Sequence, residues 1–323
     1  MKKVKVGCVI TDITPEIGVQ LSGFVARMGK PSTGIADRLN LRVLTLCSGE
    51  DNYFLCNYEL VCIGESLKGK IITALAQRLG NAFSPERCIL TTTHTHSGPT
   101  AMPLEGEIDA PAEYLDFLVS QTADAAEQSL NQVVPAKLEW AEVHVPGLTY
   151  NRRAVLADGR VSMTPEPDEP IVSRGSVDDR LNLFLWRKET GEPVAAIAHF
   201  ACHGVSMMTQ LISGDIPGEL SRRIGHLVGA PCLFLQGTSG DTNPTVVAGE
   251  RPPMLAWCDR FMQSLEGVSE RFQSVMVEDV REAHTILNLE FEFPDNAVEL
   301  EQMVSGWERI GQGESESPDL QPA

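Results

Sequence analysis

The sequence predicts an α/β fold: a mixed β-sheet core with flanking helices and a site at the strand ends. Three observations carry this. Apolar, strand-like runs alternate along the chain with segments of helical periodicity. Several consecutive strands are joined by short polar turns, which makes part of the sheet antiparallel. Polar, chemistry-bearing residues gather where apolar runs end, the place where a rigid sheet presents groups that loops leave accessible.

Val4 to Ile10 alternates weakly and reads as a strand, stopped by Thr11-Asp12-Ile13-Thr14-Pro15. Gly18 to Gly34 is a Gly/Pro-rich loop carrying Phe24, Arg27 and Met28, residues able to line a cleft or simply to pack. Leu39 to Leu46 and Tyr53 to Cys62 flank Ser48-Gly49-Glu50-Asp51-Asn52 and predict a hairpin. Glu59 interrupts the second run, so its carboxylate sits at a wet strand end or is paired. Ser66 to Leu79 places Leu67, Ile71, Ile72, Leu75 and Leu79 at helical spacing and stops at Gly80. Cys88-Ile89-Leu90 is a short strand that empties into Thr91-Thr92-Thr93-His94-Thr95-His96-Ser97-Gly98-Pro99. Pro111 to Leu130 is a second helix, with Leu115, Leu118, Val119, Thr122 and Ala126 on one face.

Pro135 to Val145 reads as a strand, followed by Asn151-Arg152-Arg153 and a long excursion from Ala157 to Asp179. Leu181 to Trp186 and Val194 to Phe200 form a second hairpin around Lys188-Glu189-Thr190-Gly191-Glu192. Ile216 to Leu227 is a helix, and Cys232 to Leu235 a short strand running into Gly237-Thr238-Ser239-Gly240-Asp241-Thr242-Asn243-Pro244. Pro253 to Leu265 reads as helix, Ala283 to Phe293 as strand and Asn296 to Ile310 as helix. No internal repeat or linker is visible, so residues 1–310 read as one domain and 311–323 as a polar tail.

Composition narrows the function classes. The chain has 323 residues, 42% hydrophobic and 22% charged, enough for a sizeable core. Its formal net charge of -18 and the absence of a basic cluster beyond Lys2, Lys3 and Lys5 exclude a nucleic-acid partner. No run of 18 apolar residues suggests a transmembrane segment. The N-terminus enters a strand without the apolar stretch of a signal peptide. The eight cysteines mostly occupy apolar runs with no CxxC pair and read as reduced thiols, which predicts a cytoplasmic protein.

Four strand exits carry candidate chemistry: His94/His96, His199 to His203, Asn151-Arg152, and Gly240 to Pro244. On a strand, alternate residues face one way, so His94 and His96 can aim at one point. Such a pair can bind a transition metal, or one ring can bind while the other moves protons. Two histidines satisfied in a polar loop is the alternative. His203 can supply a third imidazole, and two or three nitrogens with a carboxylate and an open position make a catalytic zinc site. Arg152, always charged, can stabilise an oxyanion, or can be half of a surface pair with Arg153. His199 reads as a packed histidine and Gly240 to Pro244 as a turn; Asp241, Glu59 and Asp215 are the possible acids of the site, with Glu59 and Asp215 read rather as structural.

Taken in order, Asp12-Ile13-Thr14-Pro15, Thr93 to Pro99, Asn151-Arg152, Phe200 to Met207 and Gln236 to Pro244 resemble the N-terminal catalytic domain of the neutral/alkaline non-lysosomal ceramidases, over roughly residues 4 to 250. The resemblance implies zinc-dependent hydrolysis of an amide. Carried over by position, His94 and His203 match zinc ligands, His96 the histidine that handles the proton, and Arg152 the arginine that steadies the oxyanion. The substrate implied is a small N-acyl compound, a lipid among the options.

Three departures stand out. Asn243 replaces the family's serine; its amide can hydrogen-bond a carbonyl or oxyanion but cannot be a nucleophile. No segment after Phe293 matches the family's glutamate and tyrosine ligands. The secretion signal and C-terminal β-domain of the larger enzymes are not seen, so a short cytosolic relative whose substrate need not be a lipid is expected. An inactive or ligand-binding relative, or part of a longer active enzyme, are the other readings.

Overall fold

A computed structural model describes residues 4–27, 29–102, 108–165 and 168–288, with 296–298, 300–302 and 304–305 beyond them. The chain divides into two compact units, Met1–Tyr150 with Val177–Glu282, and Asn151–Ser176 with Ala283–Ala323. The boundary expected after residue 310 lies outside the described residues.

The larger unit holds two mixed sheets. β1 (Lys5–Asp12), β2 (Asn40–Ser48), β3 (Asp51–Tyr58), β4 (Cys88–Thr92) and β5 (Val134–Pro135) form the first, in the order β4-β3-β2-β1-β5. β6 (Lys137–His144), β7 (Arg180–Arg187), β8 (Pro193–Phe200), β9 (Cys232–Gln236) and β10 (Gln273–Val275) form the second, in the order β9-β8-β7-β6-β10. In each sheet the first three strands pair antiparallel and the fourth adds parallel to the third. A parallel neighbour needs a crossover, and a helix supplies it: α1 (Glu65–Leu79) before β4 and, after α2 (Ala112–Asn131), α3 (Asp215–Val228) before β9. A further helix, α2 in the first half and α4 (Arg251–Gln263) in the second, then leads to the strand at the far edge. The sequence shows no repeat, yet the strand order repeats.

Both faces of each sheet are buried, which is why the strands read as nearly continuous apolar runs. Leu41 and Val43 of β2 face the core under α1 and α2, while Leu44 and Leu46 face the core between the sheets. In the second sheet Ala196, Ala198 and Phe200 of β8 pack with α3 and α4, and Ala195 and Ile197 meet Val6 and Leu44 across the gap. The unit is thus layered as helices, sheet, sheet, helices. Burying all three interlayer faces orders β4 and β9 at the seam, where Asn57 Nδ2 donates across to the Phe234 carbonyl at 3.0 Å.

In the smaller unit Ala154–Leu156 pairs antiparallel with Val161–Ser162 and with Ile171–Arg174. The strand expected from Ala283 to Phe293 is not formed over 283–288, and the rest of that span lies outside the described residues. Ile286 and Leu287 are 89% and 76% exposed, so the alternation there has no sheet to pack on. Residues 297–298, 300–302 and 304–305 are helical, and the remainder of the helix expected to Ile310 lies outside the described residues. Among the described residues no helix is long and apolar enough to cross a membrane.

Candidate metal centre

The strand exits of the two halves meet at the seam. β4 stops at Thr92, two residues before His94, and His94 itself adopts a left-handed φ of 63°. Strand alternation therefore does not aim His94 and His96 together; a left-handed turn at His94 does. The His94 amide donates to the Leu60 carbonyl and its Nδ1 to the Val61 carbonyl, both at 2.9 Å. The His203 amide donates to Thr242 and its Nδ1 to Ser239, both carbonyls at 3.0 Å. The His96 amide donates to the Gly204 carbonyl at 2.9 Å and its Nδ1 to Gly23 at 2.8 Å.

These three Nδ1 contacts fix the chemistry of the other nitrogen. A carbonyl only accepts, so each Nδ1 carries the hydrogen and each Nε2 presents a bare lone pair in the neutral ring. The three Nε2 atoms lie 3.1 Å (His94 to His203), 3.1 Å (His96 to His203) and 3.4 Å (His94 to His96) apart. Three acceptors with no donor among them repel unless a cation sits between. Tetrahedral zinc with Zn–N of about 2.0–2.1 Å sets its nitrogens about 3.3–3.4 Å apart, so the spacing suits the ion. Among the described residues the ligand cluster consists of His94, His96 and His203, and no carboxylate belongs to it.

The setting disfavours a charged His96. Burial foremost, then the neighbouring His203 and His94, pushes His96 down to about 3. The Gly18–Gly34 loop makes that pocket. Phe24 packs edge-on against His96 at 5.1 Å between centroids. Buried Arg27 donates to the His96, Met207 and Thr209 carbonyls and to Ser97 Oγ, tying the loop to both histidine segments. Gly23 has φ 96°, and a Cβ there would fall 2.4 Å from His96 Nδ1. Sequence reasoning left the role of this loop open; its Gly/Pro content marked a loop, and nothing local marked its target. Met28 lies outside the described residues. A cleft of about 960 Å³ is lined by His94 and His203 and, among others, by Ile63, Ile72, Ile89 and Leu90.

The remaining candidates are placed as follows. Asn243 lies on the short strand Thr242–Pro244, one residue past the carbonyl that takes the His203 amide, and is 7% exposed. Its Oδ1 has no hydrogen-bond partner among the described residues. Arg152 belongs to the smaller unit, half-buried, its carbonyl accepting from Arg174 at 3.3 Å. Glu59 is paired, as one of its two expected settings required: Arg42 Nη1 lies 2.6 Å from Oε1, and both side chains are buried. Asp215 accepts the Met207 and Ile216 amides, and burial pushes its carboxyl up to about 6. Asp241 accepts from the Thr242 hydroxyl at 3.0 Å.

Fold and site together define a two-sheet α/β protein with a three-imidazole centre at the seam between its halves. A sequence profile described as neutral/alkaline non-lysosomal ceramidase, N-terminal, matches residues 4–250, and the chain belongs to that family. Similar proteins include the neutral ceramidase of Mycobacterium tuberculosis, 27% identical over 77% of this chain and 42% of its own. Neutral ceramidase 1 of Arabidopsis thaliana is 26% identical over 65% of this chain and 28% of its own. Among solved structures, a ceramidase complexed with C2 superposes with a TM-score of 0.70 at 21% identity, covering 84% of this chain and 45% of that one. The Pseudomonas aeruginosa neutral ceramidase gives a TM-score of 0.68 at 19% identity, over 84% of this chain and 46% of that one. The chain spans less than half the length of each of these four.

Proposed function

We propose that the protein is a zinc-dependent hydrolase of an amide (N-acyl) bond. The observation that carries this is the set of three bare Nε2 lone pairs aimed at one point. His94 and His203 hold the ion, their rings fixed by the Val61 and Ser239 carbonyls. Zinc bound there supplies Lewis acidity toward a carbonyl and a water acidic enough to ionise near neutral pH. His96, its Nδ1 anchored on Gly23, takes the proton of the attacking water at Nε2 and returns it to the departing nitrogen. Arg152 steadies the oxyanion, and the Asn243 amide offers a further hydrogen bond; a serine nucleophile has no place in this chain at position 243. The apolar cleft beside the histidines takes the acyl portion of an N-acyl substrate, ceramide among the candidates. The eight free thiols favour a reducing, cytoplasmic setting.

The similar spacing of the three nitrogens, 3.1 to 3.4 Å, favours a second role for His96, as a third ligand. A third reading, a relative that binds an amide without cleaving it, draws on the lack of a carboxylate in the cluster among the described residues. Metal analysis of the purified chain with an amidase screen separates them. About one zinc per chain, lost in His94→Ala and His203→Ala, with release of a fatty or short acid from an N-acyl amide, is the expected result. His96→Ala that keeps zinc and loses turnover assigns it the proton; His96→Ala that loses zinc assigns it to the ion. Zinc without turnover across the screen supports the binding reading, and no metal at all overturns the proposal.

A further inference from the structure

We infer that Gln236 is a positioning residue that sets the spacing of the two ligand-bearing segments, His94 on the first sheet and His203 on the second. The inference rests on the reading of these histidines as a metal centre. Gln236 is the last residue of β9, the edge strand of the second sheet, in register with Phe200 at the end of β8. Its side chain lines the histidine end of the cleft. There its amide makes three hydrogen bonds, all to backbone. Nε2 donates to the Thr93 carbonyl at 3.1 Å and to the Cys202 carbonyl at 2.7 Å, and Oε1 accepts the Cys202 amide at 3.0 Å.

Thr93 and Cys202 are the residues immediately before His94 and His203. One planar amide therefore clamps the two segments from which the facing imidazoles spring. The orientation of the amide is decided by its partners: turned over, Oε1 would face two carbonyl oxygens and Nε2 an N–H. Both its donating hydrogens are thus committed, one to each segment. Thr93 and Cys202 follow strands of different sheets; the backbone bridge between Thr95 and Gly204 joins the two segments just past the histidines, and the Gln236 amide joins them just before. A group that holds ligand-bearing backbone in place acts on the metal as an outer-shell partner does, and loss of such partners typically lowers metal affinity about 10- to 100-fold.

Two substitutions separate donation from bulk. Gln236→Glu keeps the shape and the bond from the Cys202 amide but sets a carboxylate oxygen against two carbonyls. Gln236→Met keeps the length and removes all three bonds. Tyr114→Phe serves as the comparison: its hydroxyl donates to the Ile13 carbonyl at 2.7 Å in the core beneath α2, a buried hydrogen bond away from the histidines. Zinc affinity is read by competition with a chromogenic chelator, and ligand geometry by the visible absorption of the cobalt-substituted protein. Urea midpoints of the metal-free proteins are taken alongside.

Gln236→Glu and Gln236→Met are expected to lower zinc affinity about 10- to 100-fold and to weaken and shift the cobalt bands. Tyr114→Phe, which also loses a buried hydrogen bond, is expected to leave both unchanged. Wild-type affinity and cobalt spectra in both Gln236 variants overturn the inference while leaving the metal centre standing. Equal losses in Tyr114→Phe also overturn it, since general destabilisation then suffices. A wild-type chain that takes up neither zinc nor cobalt overturns the centre itself, and this inference with it.

Discussion

Gly204→Ala tests the seam directly. Gly204 follows His203, and its carbonyl accepts the His96 amide at 2.9 Å. Its backbone forms a parallel bridge with Thr95. A Cβ there would lie 2.5 Å from the His94 carbonyl oxygen, 3.0 Å from Thr95 Cα and 3.1 Å from the His94 carbonyl carbon. All three are backbone atoms, so no rotamer relieves the clash. Restoring an oxygen contact of about 3.0–3.4 Å requires the segments to part by about 0.5–0.9 Å. Passed on to the rings, that opens the 3.1 Å gap between His94 and His203 to about 3.6–4.0 Å. Metal–ligand distances tolerate about 0.2 Å. Zinc affinity should therefore fall by about 100-fold, or roughly 2.7 kcal/mol. The fold should lose about 1–3 kcal/mol, the usual cost of overpacking. Competition with a chromogenic chelator gives the first quantity and urea unfolding the second. A folded Gly204→Ala protein that binds zinc within twofold of wild type would refute the reasoning, because the seam would then not set the ligand spacing.

Two further outcomes follow from buried charge. Glu59→Gln strands the buried Arg42 guanidinium without its counter-charge and should cost about 3–5 kcal/mol in urea unfolding, against well under 1 kcal/mol for an exposed pair. Asp215 binds its proton more tightly in the folded chain than in the unfolded one, since burial raises its carboxyl from 3.8 to about 6. Its contribution is complete below pH 4 and is lost as pH rises through about 6, an effect on the order of 3 kcal/mol. The difference in unfolding free energy between wild type and Asp215→Asn, followed from pH 4 to 7, should narrow by that order; a difference independent of pH would rule the assignment out.

Much of the architecture was legible because period and punctuation are local. The helices at Glu65–Leu79 and Ala112–Asn131 follow from apolar spacing, and the hairpins from polar turns between apolar runs. His94, His96 and His203 stood out because a polar residue at the exit of an apolar strand has few structural reasons to be there. What stayed hidden is tertiary. Gln236, Gly23 and Arg27 are ordinary residues until their partners 34 to 182 positions away arrive. The repeated strand order is likewise silent, since two unlike sequences satisfy one pattern of buried faces. Over 283–288 the expectation erred the other way: alternation gives a segment the means to pair, but pairing needs a neighbour.

The repeated halves give the histidine cluster a mechanical character. His94 hangs from the first sheet and His203 from the second, so an ion held by both is a rivet through two plates. Were zinc held there, its release would be coupled to the parting of the plates, and the off-rate of the ion would report on a motion inside the fold.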